Sequence, residues 1–159
     1  MEIYRVSFIG HRVLNRIREI EEKTEALIRE LLRTKEYVEF YIGRNGDFDI
    51  LAASAIKRIQ NDLGSSNSSL ILVLPYHTRD EEYYESFYDE IYMPLDSKIH
   101  FKSAIKKRNE WMIDKSELLI AYVENETGGA YKTIKYAAQK GIAIINIAGK
   151  NFNTPPLRS

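Results

Sequence analysis

Apolar residues recur along this chain in two rhythms. Ile3 to Ile9 is apolar with breaks at Tyr4, Arg5 and Ser7 and stops at Gly10, which predicts a strand ending in a turn. From Arg16 to Arg33 the apolar positions fall at Ile17, Ile20, Thr24, Leu27, Ile28, Leu31 and Leu32, a helical spacing with charges opposite; Asn15 stands where a cap is expected. Tyr37 to Ile42 reads as a second strand, closed by Gly43. A second helix is predicted from Gly46 or Asp49, through Leu51, Ala52, Ala55, Ile56 and Ile59, to near Gly64. Ser65 to Ser69 reads as a polar turn, and the unbroken run Leu70 to Leu74 as a strand covered on both faces. His77 to Asp96 is acidic, aromatic and irregular, with room for a short helix and a short strand. Ser103 to Lys115 predicts a helix, Leu118 to Val123 a buried strand, Ala130 to Gln139 a helix stopped by Gly141, and Ile142 to Ile147 a last strand.

The order is βαβαβ, an excursion, then αβαβ. Such alternation predicts an α/β, Rossmann-like fold: a mainly parallel sheet with helices on both faces. Right-handed crossovers gather the loops after the strands along one sheet edge, where ligands of such folds bind. No repeat or composition shift divides the chain, so residues 1–159 read as one domain whose stretch 148–159 is a loose or docked tail.

Composition narrows the classes. At 159 residues, 44% hydrophobic and 29% charged, the chain can bury a globular core. Lysine plus arginine balance aspartate plus glutamate at 23 each, and zero net charge argues against a nucleic-acid partner, which a basic surface would attract. With no cysteine there is no disulfide, zinc-thiolate, iron–sulfur or thiol chemistry. No apolar run approaches the roughly 18–20 residues of a membrane span, and no leader pattern opens the chain, so the expected place is the cytoplasm, with no membrane partner. His11, His77 and His100 lack metal-ligand spacing; no metal and no cofactor is expected.

Four segments carry candidate chemistry. Gly10-His11-Arg12 is either a tight turn with a solvated arginine or a place where backbone and guanidinium approach an anion. Gly43-Arg44-Asn45-Gly46-Asp47-Phe48-Asp49 sets two glycines before a helix whose free N–H groups can hold an anion. Asp49 has two readings there, a plain helix cap or a ligand for ribose hydroxyls, and Asp47 would repel a phosphate unless turned away. Arg108-Asn109 with Asp114 is the third; the two polar positions are five apart and share no helix face closely, and Arg108, after Lys106 and Lys107, is also readable as part of a solvated basic run. Trp111 reads as core before it reads as a stacking platform. The fourth, Glu124-Asn125-Glu126-Thr127-Gly128-Gly129-Ala130, leads into a helix with Lys132 and Thr133 in its first turn: again an anion site or a flexible turn. Tyr76, Tyr83, Tyr84, Tyr88 and Tyr92 crowd the acidic excursion, as a lid, an interface or ordinary packing.

The block Arg108-Asn109-x-x-Met112-Ile113-Asp114-Lys115-Ser116-x-Leu118-Leu119-Ile120-Ala121-Tyr122, followed by Gly128-Gly129 and Lys132-Thr133, resembles the SLOG superfamily, which joins the DNA-processing protein DprA, the Lonely Guy enzymes and the YpsA-like proteins. YpsA-like members are most similar, and Gly10-His11-Arg12 with Gly43…Asp49-x-x-Ala52-Ala53 fit the same pattern. The resemblance implies a nucleotide or nucleotide-derived ligand, such as a nucleoside monophosphate, NAD or an ADP-ribose-like molecule, and a homo-oligomer. Gly10, Arg12, Gly43, Arg44, Gly46, Gly128, Gly129, Lys132 and Thr133 would hold phosphates; Asp49, Asn109 and Asp114 would hold ribose or base, or order the loops; His11, Asn45 and Arg108 stand beside them. Lonely Guy enzymes cleave N-glycosidic bonds with a motif resembling P-G-G-x-G-T-x-x-E. Here its glutamate position falls on Tyr136 or Lys135, depending on the glycine or threonine taken as anchor, and the glycine two before Asp49 is Asp47. An N-glycosidase would therefore need a carboxylate from elsewhere, with Asp49, Glu124 and Glu126 as candidates.

Overall fold

A computed structural model describes residues 1–152. Six strands form one parallel sheet: β1 (Ile3–Gly10), β2 (Tyr37–Ile42), β3 (Ser68–Val73), β4 (Glu90–Tyr92), β5 (Leu118–Tyr122) and β6 (Ala143–Asn146), in the order β4-β3-β2-β1-β5-β6. Helices α1 (Ile17–Thr34), α2 (Asp47–Leu63), α3 (Glu81–Phe87), α4 (Phe101–Lys115) and α5 (Gly129–Lys140) connect them. The Rossmann-like α/β architecture with helices on both faces is therefore what the chain adopts.

Alternation along the strands sorts the core into two layers. Val6, Phe8, Val38, Phe40, Ile42, Leu70, Leu72 and Ile120 point to the layer that packs with Ile28, Ala52 and Ile56 of α1 and α2. Ile9, Tyr41, Ile71, Val73, Leu119, Ala121 and Val123 point to the other, under Met112, Ile113, Ile134 and Ala137 of α4 and α5. The polar break at Ser7 in β1 is answered locally: its hydroxyl lies 2.6 Å from Ser116 Oγ and donates to Met112 O at 3.1 Å, tying β1 to the end of α4.

Several boundaries differ from the sequence reading for physical reasons. Asn15 does not cap α1; the cap position is Arg16, in left-handed backbone at φ 55°, with no side-chain cap. Ser68 and Ser69, read as turn, are buried in β3, where Ser68 Oγ accepts from Gln60 Nε2 at 3.0 Å and the ladder to Val38 and Glu39 takes their backbone. The last stretch begins docked: Phe152 is buried, its ring meets Tyr131 edge-on and its carbonyl accepts from Lys135 Nζ at 3.1 Å. Residues 153–159 of the expected tail lie outside the described residues.

Asp89 clamps β3 to α2. Its Oδ2 accepts from Leu70 N–H at 2.7 Å and Gln60 Nε2 at 3.0 Å, and its Oδ1 from Lys57 Nζ at 3.2 Å. Burial pushes this carboxyl up, but the Leu70 N–H, Gln60 and Lys57 together outweigh it and hold it below the usual range. A carboxyl depressed by folding binds fewer protons in the native state, so its stabilisation is full above about pH 4 and is lost as pH falls through the folded value. We expect Asp89→Ala to cost about 1–3 kcal/mol at neutral pH and to flatten the acid limb of stability, read by urea melts at pH 7 and pH 3.

Candidate functional site

β1 leads by α1 toward β2 on one side, whereas its other neighbour, β5, is followed by β6 on the opposite side. Where the order reverses, the carboxyl ends of β1 and β5 part and leave a crevice. Here it is a cavity of about 330 Å³. Ile9, Gly10, His11 and Arg12 line it from β1, Asn45 and Asp49 from the start of α2, Ile105, Arg108 and Asn109 from α4, and Thr127 to Ala130 from the start of α5.

The first two glycine turns close on each other. Asp47 N–H donates to Arg12 O at 2.8 Å, Phe48 N–H to His11 O at 3.4 Å, and Asn45 N–H to Asp49 Oδ2 at 2.9 Å. The first two α2 amides, those of Asp47 and Phe48, are thus spent within the chain. Asp47 is indeed turned away, its Oδ2 accepting from Leu14 N–H at 3.1 Å. Asp49 is not the cap of α2, a position Gly46 holds. The glycines are filled by neighbours: a Cβ on Gly10 would lie 2.4 Å from the Phe48 ring, one on Gly43 2.6 Å from Arg108 Nη1, and one on Gly46 2.3 Å from Arg12 Cα.

The α5 turn is different. Gly128 sits at φ 93°, where only glycine is at ease, and a Cβ on Gly128 or Gly129 would meet nothing within 4 Å. Among the described residues no group accepts from the N–H of Gly129 or Ala130. These amides, at the positive end of a 12-residue helix, border the cavity.

Arg108 does not belong to a solvated basic run. Lys106 and Lys107 are exposed, but Arg108 is 2% exposed, because positions 105, 108, 109 and 112 share the inward face of α4. Its Nη1 donates to Val73 O at 2.7 Å and its Nε to Asn109 Oδ1 at 2.9 Å. Asn109 Nδ2 donates to Thr133 Oγ1 at 3.3 Å, and that hydroxyl donates to Gly129 O at 2.8 Å. The buried cation is thereby wired to the α5 turn. Among the described residues no carboxylate comes within 4.0 Å of the guanidinium. Burial pulls Arg108 below the usual arginine range, with Asp49 acting against it. Burial likewise pushes Asp49 up, against the Asn45 N–H and Arg108.

His11 holds the two strand ends together, its Nε2 accepting from Glu124 N–H at 2.8 Å, which leaves the ring proton on Nδ1. The Glu124 side chain turns away from the cleft. It accepts from Tyr122 OH and lines a separate hollow of about 60 Å³ with Arg16, Glu19 and Lys23. Burial and then that hydrogen bond push the Tyr122 phenol up to about 12.

Of the candidate carboxylates, only Asp49 is in the cleft; Glu124 and Glu126 are exposed outside its lining. Besides Gly43 and Gly46, which pack against Arg108 and Arg12 outside the lining, three further expected ligands stand elsewhere. Arg44 donates to Tyr88 OH at 3.1 Å with its guanidinium over the Tyr84 ring, Lys132 is exposed, and Asp114 faces Tyr136 OH at 2.7 Å and Lys140 at the far end of α4. Thr133 contributes through Gly129 O rather than from the lining. Trp111 is half-buried, stacked on Tyr92 and tilted against Tyr41. Sequence reasoning missed Ile9 and Ile105, and named Thr127 and Ala130 only as part of the fourth segment; helical spacing from Arg108 back to Ile105 was the signal for one of them.

No protein-family model matches the chain, and no curated protein does. Solved structures do. DNA processing protein A (DprA) from Streptococcus pneumoniae superposes with a TM-score of 0.65 at 16% identity, over 96% of this chain and 53% of that one. DNA processing protein A from Helicobacter pylori, whose structure is reported for a unique single-stranded DNA binding mode, superposes with a TM-score of 0.59 at 18% identity, over 94% of this chain and 67% of that one. The chain thus spans about half the length of the pneumococcal protein and has the fold of DprA, one of the groups in the SLOG resemblance. The expectation that zero net charge argues against a nucleic-acid partner is corrected by this likeness, since a protein of the same fold is reported for binding single-stranded DNA. Net charge is a sum, and local placement of cations decides affinity for phosphates. Among the described residues no helix is long and apolar enough to cross a membrane.

Proposed function

We propose that the cleft between β1 and β5 binds a phosphate-bearing nucleotide unit, with its phosphate at the α5 turn. The observation that carries this reading is the pairing, at the edges of one cavity, of Gly129 and Ala130 amides with a buried arginine, which among the described residues have no acceptor and no ion-pairing carboxylate respectively. A helix start and a desolvated cation both favour an anion. Gly128 keeps the turn's backbone accessible, and the Arg108–Asn109–Thr133 chain holds it in place. Such a unit comes either as a free nucleotide or as one residue of a single strand; the fold likeness to DprA keeps the strand in view. The free form fits a YpsA-like relationship and a cytoplasmic protein.

The test is a melting screen against nucleoside monophosphates, NAD, ADP-ribose and short single-stranded oligonucleotides, each mixture then separated by chromatography. A ligand at 100 times its Kd adds about 2.7 kcal/mol, a rise of roughly 5–10 °C for a chain of this size. A rise with free nucleotides supports the small-ligand form, and one confined to oligonucleotides the strand form. Released base or nicotinamide would assign hydrolysis, for which Asp49 is the carboxylate in place. If none of these ligands moves the melt, the reading fails.

A further inference from the structure

The inward face of α4 runs on past the sheet. At about 100° per residue, position 101 lies on the same side of the helix as 105, 108 and 112. Arg108 and Met112 on that side are buried, and Ile105 and Arg108 line the cleft. Phe101, on the same side, is 65% exposed. The difference comes from height along the axis. Only Ser116 and Glu117 separate α4 from β5, so the helix runs against the strands and its first turn rises past their carboxyl ends. Arg108 reaches Val73 O at the end of β3. Phe101 precedes it by seven residues, about 10 Å of helix. Its ring therefore stands beyond the strand ends, one turn above Ile105, at the mouth of the cleft.

The ring is held. It stacks on His100 at 5.2 Å and 23°, and His100 is fixed as the cap of α4, its Nδ1 accepting from Lys102 N–H at 3.2 Å. Among the described residues no other ring packs on Phe101, which leaves its second face open. A scattered exposed apolar residue needs no explanation; this one continues the wall of a ligand-sized cleft. That cavity, about 330 Å³, is at the small end for ligand pockets. A nucleotide with its phosphate at the α5 turn fills it with phosphate and sugar, and its base projects toward the mouth. A pre-positioned aromatic face offers a base a stacking partner. We infer that the base of the bound nucleotide stacks on the open face of Phe101, so that the cleft takes nucleotides in preference to sugar phosphates. This rests on the phosphate reading above and adds to it the base. Every base has a π-face, so the contact accepts all four.

The experiment is calorimetric titration of the full chain with AMP, GMP, CMP and UMP and with ribose 5-phosphate, which lacks only the base. Loss of a base stack predicts that ribose 5-phosphate binds at least about fivefold more weakly than the nucleotides. Phe101→Ala is expected to bring the nucleotides down to the affinity of ribose 5-phosphate without changing the latter, and Phe101→Tyr to keep the difference. The side chain is exposed, so both variants should melt like the parent. Equal affinities for nucleotide and ribose 5-phosphate in the unaltered chain overturn the inference, with no variant needed, and leave the phosphate reading standing. A nucleotide preference that survives in Phe101→Ala overturns it as well, because the base then lies elsewhere. Binding of neither ligand overturns it together with the free-nucleotide form of the reading.

Discussion

Arg108→Ala is expected to cost about 2–5 kcal/mol of stability, because each buried polar partner left unsatisfied costs about 1–3 kcal/mol. The side chain is among the largest fully buried ones, and three features of the fold depend on it. Val73 O, at the carboxyl end of β3, loses its donor. Asn109 loses the partner that orients its amide toward Thr133. Asp49 keeps its desolvated carboxyl but loses the cation that offsets it. The pH dependence supplies a second readout. Burial already raises the folded pKa of Asp49, so between about pH 4 and that raised value the native state holds more proton than the unfolded chain. Stability therefore falls as pH rises through this window, and in Arg108→Ala the fall is steeper and extends higher. Adding Asp49→Asn should return part of the loss, a coupling of at least about 0.5 kcal/mol in a double-mutant cycle. A loss below about 1 kcal/mol for Arg108→Ala would mean that the guanidinium is not the hub described here.

The same residue marks where sequence reasoning stops. The sheet was legible because strand alternation and helical spacing are one-dimensional records of burial: Leu70 to Val73, Leu118 to Tyr122 and the Ile20–Ile28–Leu32 stripe each lie where the pattern put them, with Leu74 and Val123 just past the strand ends. Ser68 and Ser69 were misplaced because polar residues enter a strand once a partner such as Gln60 satisfies them, and that partner lies on another element. Lys106-Lys107-Arg108 looks like one basic run in sequence, yet a 100° turn per residue separates two solvated lysines from a buried arginine. Among the carboxylates, Asp49 and Glu124 were equal on paper. The direction of a side chain after a strand end is set by its hydrogen-bond partner, here Tyr122 for Glu124 and the Asn45 N–H for Asp49. The glycines were legible as turns but not by purpose, since the object each one makes room for is distant in sequence.

That purpose separates two substitutions of equal size. Gly46→Ala is expected to lower stability by about 1–3 kcal/mol, because its Cβ would stand 2.3 Å from Arg12 Cα and 3.0 Å from Arg12 O. Both are backbone atoms of a loop fixed by Asp47 N–H and Leu14 N–H, so the clash cannot be relieved by a rotamer. Gly129→Ala places the same methyl where nothing lies within 4 Å, on a helix position that tolerates alanine well. Its stability should stay within about 0.5 kcal/mol of the unaltered chain. If the amides of Gly129 and Ala130 hold a phosphate, however, the methyl stands at the site of closest approach. Affinity for the bound nucleotide should then fall at least about tenfold, or about 1.4 kcal/mol. Denaturant melts with and without ligand measure both quantities on the same samples. A Gly129→Ala protein that melts and binds like the parent would move the phosphate away from α5, and with the Asp47 and Phe48 amides already committed to Arg12 and His11 carbonyls, it would point to the exposed Arg12 guanidinium that lines the same cavity.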